Sequence, residues 1–457
     1  MKIVIVGGST AGTLCALELR KMDKDIEITI IEKSEEMQYS PCAMPYVLSG
    51  EIKDINQIRL MSKDDYKDND IEILNKRSVT KIDTKKRKVS LDDGSDKDFD
   101  KLVLATGSRP DVPPIEIEKD ADVDTFKTLE ELTKTLKMKG KNITMIGAGL
   151  IGVEVACSLA EKKKKVTLIE AQENILSTMF DPDMSEIIEE GMKTEGIEVL
   201  KSSSVSRITK DKVLIGDKEI SSDHVITATG FSPEISLAKD AGLKTGRGIS
   251  VDSHMRTSYK DIFACGDCAE WEHMITKEMI TSQLATTALE QAKVVANNIL
   301  GKEEKVRPVL NTSISKAGKM FFGSLGITSR DARTRKIDYV SARYSSFNTA
   351  EYYAKESRLI VKLIADMDGH IIGAQLISDQ NIAGYLNMLS LAAGNRMKID
   401  DIIEMETCYN PACNPLHDPV KTAAGILRKK MDIKSQKNPE NNEVEGLVVG
   451  KKNSFMV

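Results

Sequence analysis

The sequence predicts an α/β fold in which one strand–turn–helix–strand unit occurs twice and an α+β domain follows. Three observations carry this. Residues 2–32 read as a buried strand, a glycine turn, a helix and a second strand, and residues 142–170 repeat that order. Each unit leads through β-rich sequence to an apolar strand ending in Ala-Thr-Gly, at Gly107 and Gly230. From Lys305 the pattern changes to long strand-like runs joined by an Asp368-Gly369 turn, with a helix after them.

In the first unit, Lys2-Ile-Val-Ile-Val runs into Gly7-Gly-Ser9-Thr-Ala11-Gly12. A helix through about Arg20 and the strand Glu27-Ile-Thr-Ile-Ile-Glu32 follow. In the second, Asn142-Ile-Thr-Met-Ile runs into Gly147-Ala-Gly149-Leu-Ile-Gly152, then a helix to about Glu161 and the strand Lys165-Val-Thr-Leu-Ile-Glu170. A glycine turn between strand and helix brings backbone N–H groups and a helix N-terminus to a pyrophosphate. A carboxylate about 20 residues on binds the ribose hydroxyls. Gly147, Gly149, Gly152 and Glu170 meet that pattern in full. Gly7, Gly12 and Glu32 meet it with Ser9 at the middle glycine. One such turn alone is a weak signal, since an ordinary strand–helix junction also produces it, but two, each with its acid, point to two dinucleotides. Glu170 repels a 2′-phosphate, which favours NADH over NADPH.

After Gly230, Asp261-Ile-Phe-Ala-Cys-Gly266-Asp267 and a helix from about Thr281 to Leu300 have no counterpart after the first unit. They read as the first domain resuming after an inserted second one. The expected domains are 1–112 with 231–304, 113–230 and 305–431, followed by a polar, flexible tail over 432–457. Asp267 can accept from a sugar-alcohol hydroxyl, or simply cap a helix. Cys265 and Cys268 form a C-x-x-C, but no second pair completes a metal site, so no metal is expected.

The chain has 457 residues, a net charge of -5 and seven scattered cysteines. The charge gives no basic surplus for nucleic acid. No apolar run reaches the ~18 residues of a membrane span. With a first strand starting at Lys2 and an odd cysteine count, it reads as a reduced, cytoplasmic protein. Cys42 stands apart, in Gln38-Tyr39-Ser40-Pro41-Cys42-Ala-Met-Pro45-Tyr46, just after the Glu32 strand and ahead of a helix expected to start near Pro45. A helix N-terminus favours thiolate, the reactive form. Cys15 and Cys157 lie on the nucleotide helices and read as core.

Together, Gly7-x-Ser9-x-x-Gly12, Cys42-Ala-Met-Pro-Tyr46, Ala105-Thr106-Gly107-Ser-Arg-Pro110, Gly147-x-Gly149-x-x-Gly152 with Glu154, Ala228-Thr-Gly230 and Gly266-Asp267 resemble the pyridine nucleotide-disulfide oxidoreductases over residues 1 to about 430. With one cysteine in the redox loop, the chain is similar to the single-cysteine branch of coenzyme A-disulfide reductases, NADH oxidases and NADH peroxidases. The resemblance implies two Rossmann-like domains, for FAD and for NAD, and a C-terminal dimerisation domain. It implies FAD contacts at Gly7, Ser9, Ala11, Gly12, Glu32, Lys33, Val79, Thr106, Gly107, Asp267 and Thr286, and NADH contacts at Gly147, Gly149, Gly152, Glu170 and Gly230.

Three features are similar to the coenzyme A-disulfide reductases: the Cys42-x-x-Pro-Tyr form, Glu351-Tyr352-Tyr353, and Tyr409-Asn-Pro-Ala-Cys-Asn-Pro-Leu-His417. In that subgroup tyrosines at these places reach the partner subunit's site, which implies a homodimer with Cys42, Tyr353 and Tyr409 as catalytic residues. Lys21, Tyr39, Ser40, Tyr352 and His417 are then substrate contacts. Thr10 stands where peroxidase and water-forming oxidase members carry a His. Gln38, Pro41, Ala354 and His417 depart from the subgroup. The implied cycle passes hydride from NADH to FAD, and electrons then reduce a disulfide between Cys42 and a bound thiol. The thiolate attacks the next disulfide, with coenzyme A disulfide as the expected substrate. The alternatives are an oxidase or peroxidase using a Cys42 sulfenate, a sulfur or polysulfide reductase, and a redox-sensing flavoprotein whose partner meets the tail.

Overall fold

The computed structural model describes residues 1–350, 352–353 and 357–436. Glu351, Ala354 and the expected tail from 437 onward lie outside the described residues. The chain divides into two compact units, 1–111 with 127–137 and 230–309, and 112–126 with 138–229 and 310–457.

The first unit is built on a five-stranded parallel sheet. Its order is Ile262–Ala264, Lys101–Leu104, Lys2–Val6, Glu27–Glu32, Ile71–Asn75. Ile3, Ile5, Ile30, Leu102 and Leu104 are almost fully buried, as strands covered on both faces require. The helices Thr10–Met22 and Ala285–Ile299 pack against each other beside this sheet. The second helix begins four residues later than the sequence pattern indicates. Segment 127–137, expected in the inserted domain, packs with this unit and carries the helix Leu129–Lys137.

The second unit contains a sheet of the same design. Its order is Val123–Thr125, His224–Thr227, Asn142–Ile146, Lys165–Ile169, Glu198–Leu200, again all parallel. In both sheets the strand before the glycine turn lies third, with its successor on one side and the Ala-Thr-Gly strand on the other. The turn therefore leaves the sheet where strand order reverses, which is where open α/β sheets bind ligands. The duplication read from the sequence is thus also a duplication of strand order.

The same unit holds a five-stranded antiparallel sheet, ordered Ser313–Ala317, Met320–Gly326, Ile371–Ser378, Arg358–Asp366, Tyr339–Phe347. Gly369 takes the left-handed conformation that closes the central hairpin. The helix Pro419–Gln436 continues past the expected domain end at 431. Among the described residues no helix is long and apolar enough to cross a membrane.

Candidate active site

Both glycine turns are sterically obligatory. Gly7 has φ +107, and a Cβ there would lie 2.1 Å from the Ala105 carbonyl oxygen. A Cβ on Gly12 would lie 1.9 Å from the Gly7 oxygen. The second turn repeats this, with φ +99 at Gly147 and 2.0 Å between a Gly152 Cβ and the Gly147 oxygen. Gly149 is different: nothing lies within 4 Å of its missing Cβ, so open space faces the N-terminus of the helix Leu150–Glu161. Ser9 and Gly149 are the N-caps, and neither supplies a side-chain cap. The first backbone N–H groups of both helices are thus left for a phosphate.

The two acids are held alike. Glu32 accepts from the Gly8 N–H (2.7 Å) and the Ser34 N–H (2.8 Å). Glu170 accepts from the Ala148 N–H (2.7 Å) and the Gln172 N–H (2.8 Å). Each carboxylate is locked beside its own glycine turn, with lone pairs left for ribose hydroxyls. These cradles fit two dinucleotides.

Other expected contacts of the first unit gather at its carboxyl end. Gly107 has φ +72 with open space where its Cβ would be, and Thr106 Oγ1 donates to the Glu234 carbonyl at 2.6 Å. Gly266 lies against Ala11, and its N–H donates to Gln291 Oε1 at 2.8 Å. Asp267 accepts from Ser108 Oγ at 2.8 Å. Val79 opens the strand Val79–Asp83, while Lys33 and Thr286 are exposed. Lys21, an expected substrate contact, is not among them: it is exposed in the last turn of the first helix, a helix length away from the Gly7 turn. Gly230, with φ +115, belongs to this unit and not to the inserted domain's.

Lys127 was not foreseen. Its ammonium donates to the Ser108 carbonyl and to Ser108 Oγ (2.8 Å), and lies 4.8 Å from the Phe231 ring centre. Burial pulls its pKa down, against the attraction of Asp267. Nothing near Thr125-Phe126-Lys127 in the sequence signals this, because folding brings the segment to Ser108.

Cys42 is exposed, on a 3₁₀ turn Pro41–Ala43 that runs into the short helix Met44–Ser49. A 3₁₀ turn starts at Pro41, where a proline's fixed φ suits the first helical position, and the α-helix itself starts at Met44, beside Pro45 as expected. The thiol therefore lies two residues ahead of the α-helix N-terminus, within the turn that leads into it. The loop is anchored by the Ser40 N–H to the Ile58 carbonyl (2.9 Å) and by Tyr39 Oη to the Lys127 carbonyl (3.2 Å). Burial, then the charges of Glu131 and Glu32, push Tyr39 up to about 12. It stays a neutral donor at any working pH. Cys15, Cys157, Cys265 and Cys268 are buried, and burial holds each as the thiol. In the C-x-x-C, Cys268 donates to the Leu104 carbonyl.

In the second unit the structure pairs Tyr352 with Tyr409, their hydroxyl oxygens 2.7 Å apart. The hydrogen bond to Tyr352, then burial, raises Tyr409 above the ordinary tyrosine range. Tyr353 instead donates its backbone N–H to Ala350, and His417 is exposed. Two Asp–Asp–His groups, Asp122 with Asp124 and His224, and Asp366 with Asp368 and His370, were also absent from the sequence reading.

Glu154, on the second nucleotide helix, accepts from Ser315 Oγ. Burial pushes its carboxyl up to about 7, against the downward pull of that hydrogen bond. A raised folded pKa means stability fully present below the unfolded value and lost as pH rises through about 7. Part of the side chain still meets solvent. The expected loss in urea unfolding between pH 5 and pH 8 is therefore on the order of 1 kcal/mol. Glu154→Gln should abolish that slope.

Comparison with known proteins decides the family. Residues 1–292 match the pyridine nucleotide-disulphide oxidoreductase profile, and residues 318–418 match that family's dimerisation domain. The chain belongs to this family. It is 37% identical over 449 residues to an NADH oxidase of Methanocaldococcus jannaschii, covering 95% of this chain and 100% of the relative. It is 28% identical to a CoA-dependent NAD(P)H sulfur oxidoreductase of Pyrococcus furiosus, covering 93% of this chain and 99% of the relative. The solved structure of a NAD-dependent persulfide reductase from A. fulgidus superposes with a TM-score of 0.92 at 30% identity, over 95% of this chain and 84% of that one. The chain is thus an oxidoreductase of the single-cysteine branch that uses FAD and NAD(P)H, with two Rossmann-like domains and a C-terminal dimerisation domain.

Proposed function

We propose that this chain is a homodimeric, NADH-dependent reductase of low-molecular-weight disulfides, with coenzyme A disulfide as its substrate and Cys42 as its redox residue. One observation carries the reading. Cys42 is the exposed cysteine of the unit that bears the Gly7 turn and Glu32, while Cys15, Cys265 and Cys268 in that unit are buried. Bound FAD supplies the two-electron path between NADH and sulfur. The chain's residues do the rest. The Gly7 and Gly147 turns, with Glu32 and Glu170, hold the dinucleotides. The Cys42 thiolate attacks one sulfur of the substrate R–S–S–R, forming Cys42–S–S–R and expelling RS⁻, which takes a proton. The hydride of NADH, as two electrons and one proton, then returns Cys42–S–S–R to Cys42–S⁻ and RSH. The resemblance implies a tyrosine proton donor for the leaving thiolate, a role that the mutual hydrogen bond of Tyr352 and Tyr409 supports. The exposed Tyr352, Leu391 and Leu416 of the dimerisation domain suit a surface covered by a second copy.

The names of the relatives support a second reading, reduction of persulfide or polysulfide sulfur by the same thiolate. Intact mass of the protein purified without reductant tests the first. Coenzyme A on Cys42, released by dithiothreitol, is the expected result. A bare Cys42 together with faster turnover of polysulfide or oxygen would sink it.

Glu170 sets the nicotinamide preference. Its carboxylate is fixed beside the turn by two N–H groups, so a 2′-phosphate meets a charge that cannot swing away. Glu170→Ala should shift the NADPH/NADH ratio of kcat/KM about tenfold or more towards NADPH. An unchanged ratio would remove Glu170 from the ribose site.

A further inference from the structure

Three cysteines are exposed: Cys42, and two more on a single loop of the other unit, Cys408 and Cys413. That loop is folded back on itself. The Asn410 carbonyl accepts from the N–H groups of Cys413 (2.8 Å) and Asn414 (3.0 Å). The Asn414 side chain then donates to the Cys408 carbonyl at 2.7 Å and accepts from the Asn410 N–H at 3.4 Å. One side chain thereby ties the backbone of Cys408 to the residue following Cys413.

The loop is also pinned at its ends and middle. Lys421 Nζ donates to the Met405 carbonyl at 2.6 Å, and Asp418 Oδ1 accepts from the N–H groups of Val420 (2.8 Å) and Lys421 (3.0 Å). The Pro411 carbonyl accepts from the Ala350 N–H at 3.2 Å. Two thiols exposed in the single subunit therefore share one short, pre-folded turn. The hydrogen bonds of the turn already order the chain between them, which lowers the entropy cost of closing the ring.

We infer that Cys408 and Cys413 are a second thiol–disulfide couple, a reversible oxidation site that closes on contact with low-molecular-weight disulfides. One thiolate attacks R–S–S–R, forming a mixed disulfide and releasing RS⁻. The other thiolate attacks the cysteine sulfur of that mixed disulfide, closes Cys408–Cys413 and releases the second RS⁻. The two thiols lose two electrons and two protons, and R–S–S–R gains them as two RSH. Tyr409 lies inside the ring so formed, so closure bears on its hydrogen bond to Tyr352. The inference rests on the proposed function only for the identity of the oxidant.

The test uses the full-length, FAD-loaded protein, oxidised glutathione as probe, alkylation of remaining thiols and tryptic digestion. Cys408 and Cys413 fall in one peptide, 399–421, with no other cysteine. The expected peptide is lighter by two hydrogens, carries no alkyl or glutathionyl group, and becomes doubly alkylated when dithiothreitol precedes alkylation. Cys413→Ser should instead trap glutathione on Cys408, or Cys408→Ser on Cys413. A wild-type peptide that stays doubly alkylated, or carries glutathione on both cysteines, overturns the inference. The readout is a mass and not a rate, so it separates the two readings. Closure without disulfide turnover would sink only the proposed function, and turnover with an open peptide only this couple.

Discussion

A Cys42→Ser enzyme is expected to bind FAD and to be reduced by NADH at the wild-type rate, while its disulfide turnover falls by about 10³-fold or more. The two halves of this result have separate physical origins. Dinucleotide binding rests on turns where a Cβ would meet backbone oxygen within about 2 Å, at Gly12 and Gly152, and on acids fixed by backbone N–H groups. These features belong to the glycine turns and to the strands that follow them, whereas Cys42 belongs to the separate Pro41–Ala43 turn. Loss of the sulfur removes the only group of that turn able to hold a mixed disulfide, because a serine hydroxyl has neither the acidity nor the bond. Stopped-flow flavin bleaching by NADH measures the first half, and steady-state assay with coenzyme A disulfide the second. Disulfide turnover within tenfold of wild type would show that Cys42 is not the redox residue. A variant purified without FAD would show that the turn supports the cofactor as well.

The nucleotide units were legible because their constraints are local. A strand that must be apolar on both faces, a glycine with no room for Cβ and an acid on the next strand all leave marks within about 30 residues of one another. Even so, the identical strand order of the two sheets is visible only when the partners of Lys101–Leu104 and His224–Thr227 are known. What escaped the sequence was set by distant contacts. Lys127 acquires its meaning from Ser108 and Phe231, and segment 127–137 changes unit because of such packing. Tyr352 and Tyr353 are adjacent and chemically alike, so only the folded backbone picks Tyr352 as the partner of Tyr409. The helix beside Pro45 was legible, but the 3₁₀ turn ahead of it was not, because Pro41 and Pro45 both suit a first helical position.

Lys362→Met is expected to cost about 3–5 kcal/mol at pH 7. Lys362 is nearly buried in the antiparallel sheet, 2.9 Å from Asp181 and 2.6 Å from Asp183. Asp181 is buried too, and also accepts from Ser329 Oγ (2.7 Å) and Gln375 Nε2 (3.1 Å). Burial works to push the Asp181 carboxyl up, but Lys362, Ser329 and Gln375 together outweigh it and hold it below the ordinary range. A depressed folded pKa means stability present above the unfolded value, about 3.9, and lost as pH falls through the folded one. Without Lys362 the burial penalty stands largely unopposed, so the sign reverses and the variant suffers most where Asp181 must stay charged. Its deficit should therefore be widest near pH 7 and shrink below about pH 4. Asp183 is half-exposed and keeps Arg343 at 3.3 Å, so it contributes little to the difference. Removing both charges with Asp181→Asn and Lys362→Met should cost less than Lys362→Met alone, since no buried ion is then left without its partner. Urea unfolding at pH 4 and pH 7 measures all three proteins. A Lys362→Met deficit that is the same at both pH values would mean that lost packing of the lysine stem, and not the stranded carboxylate, accounts for the loss.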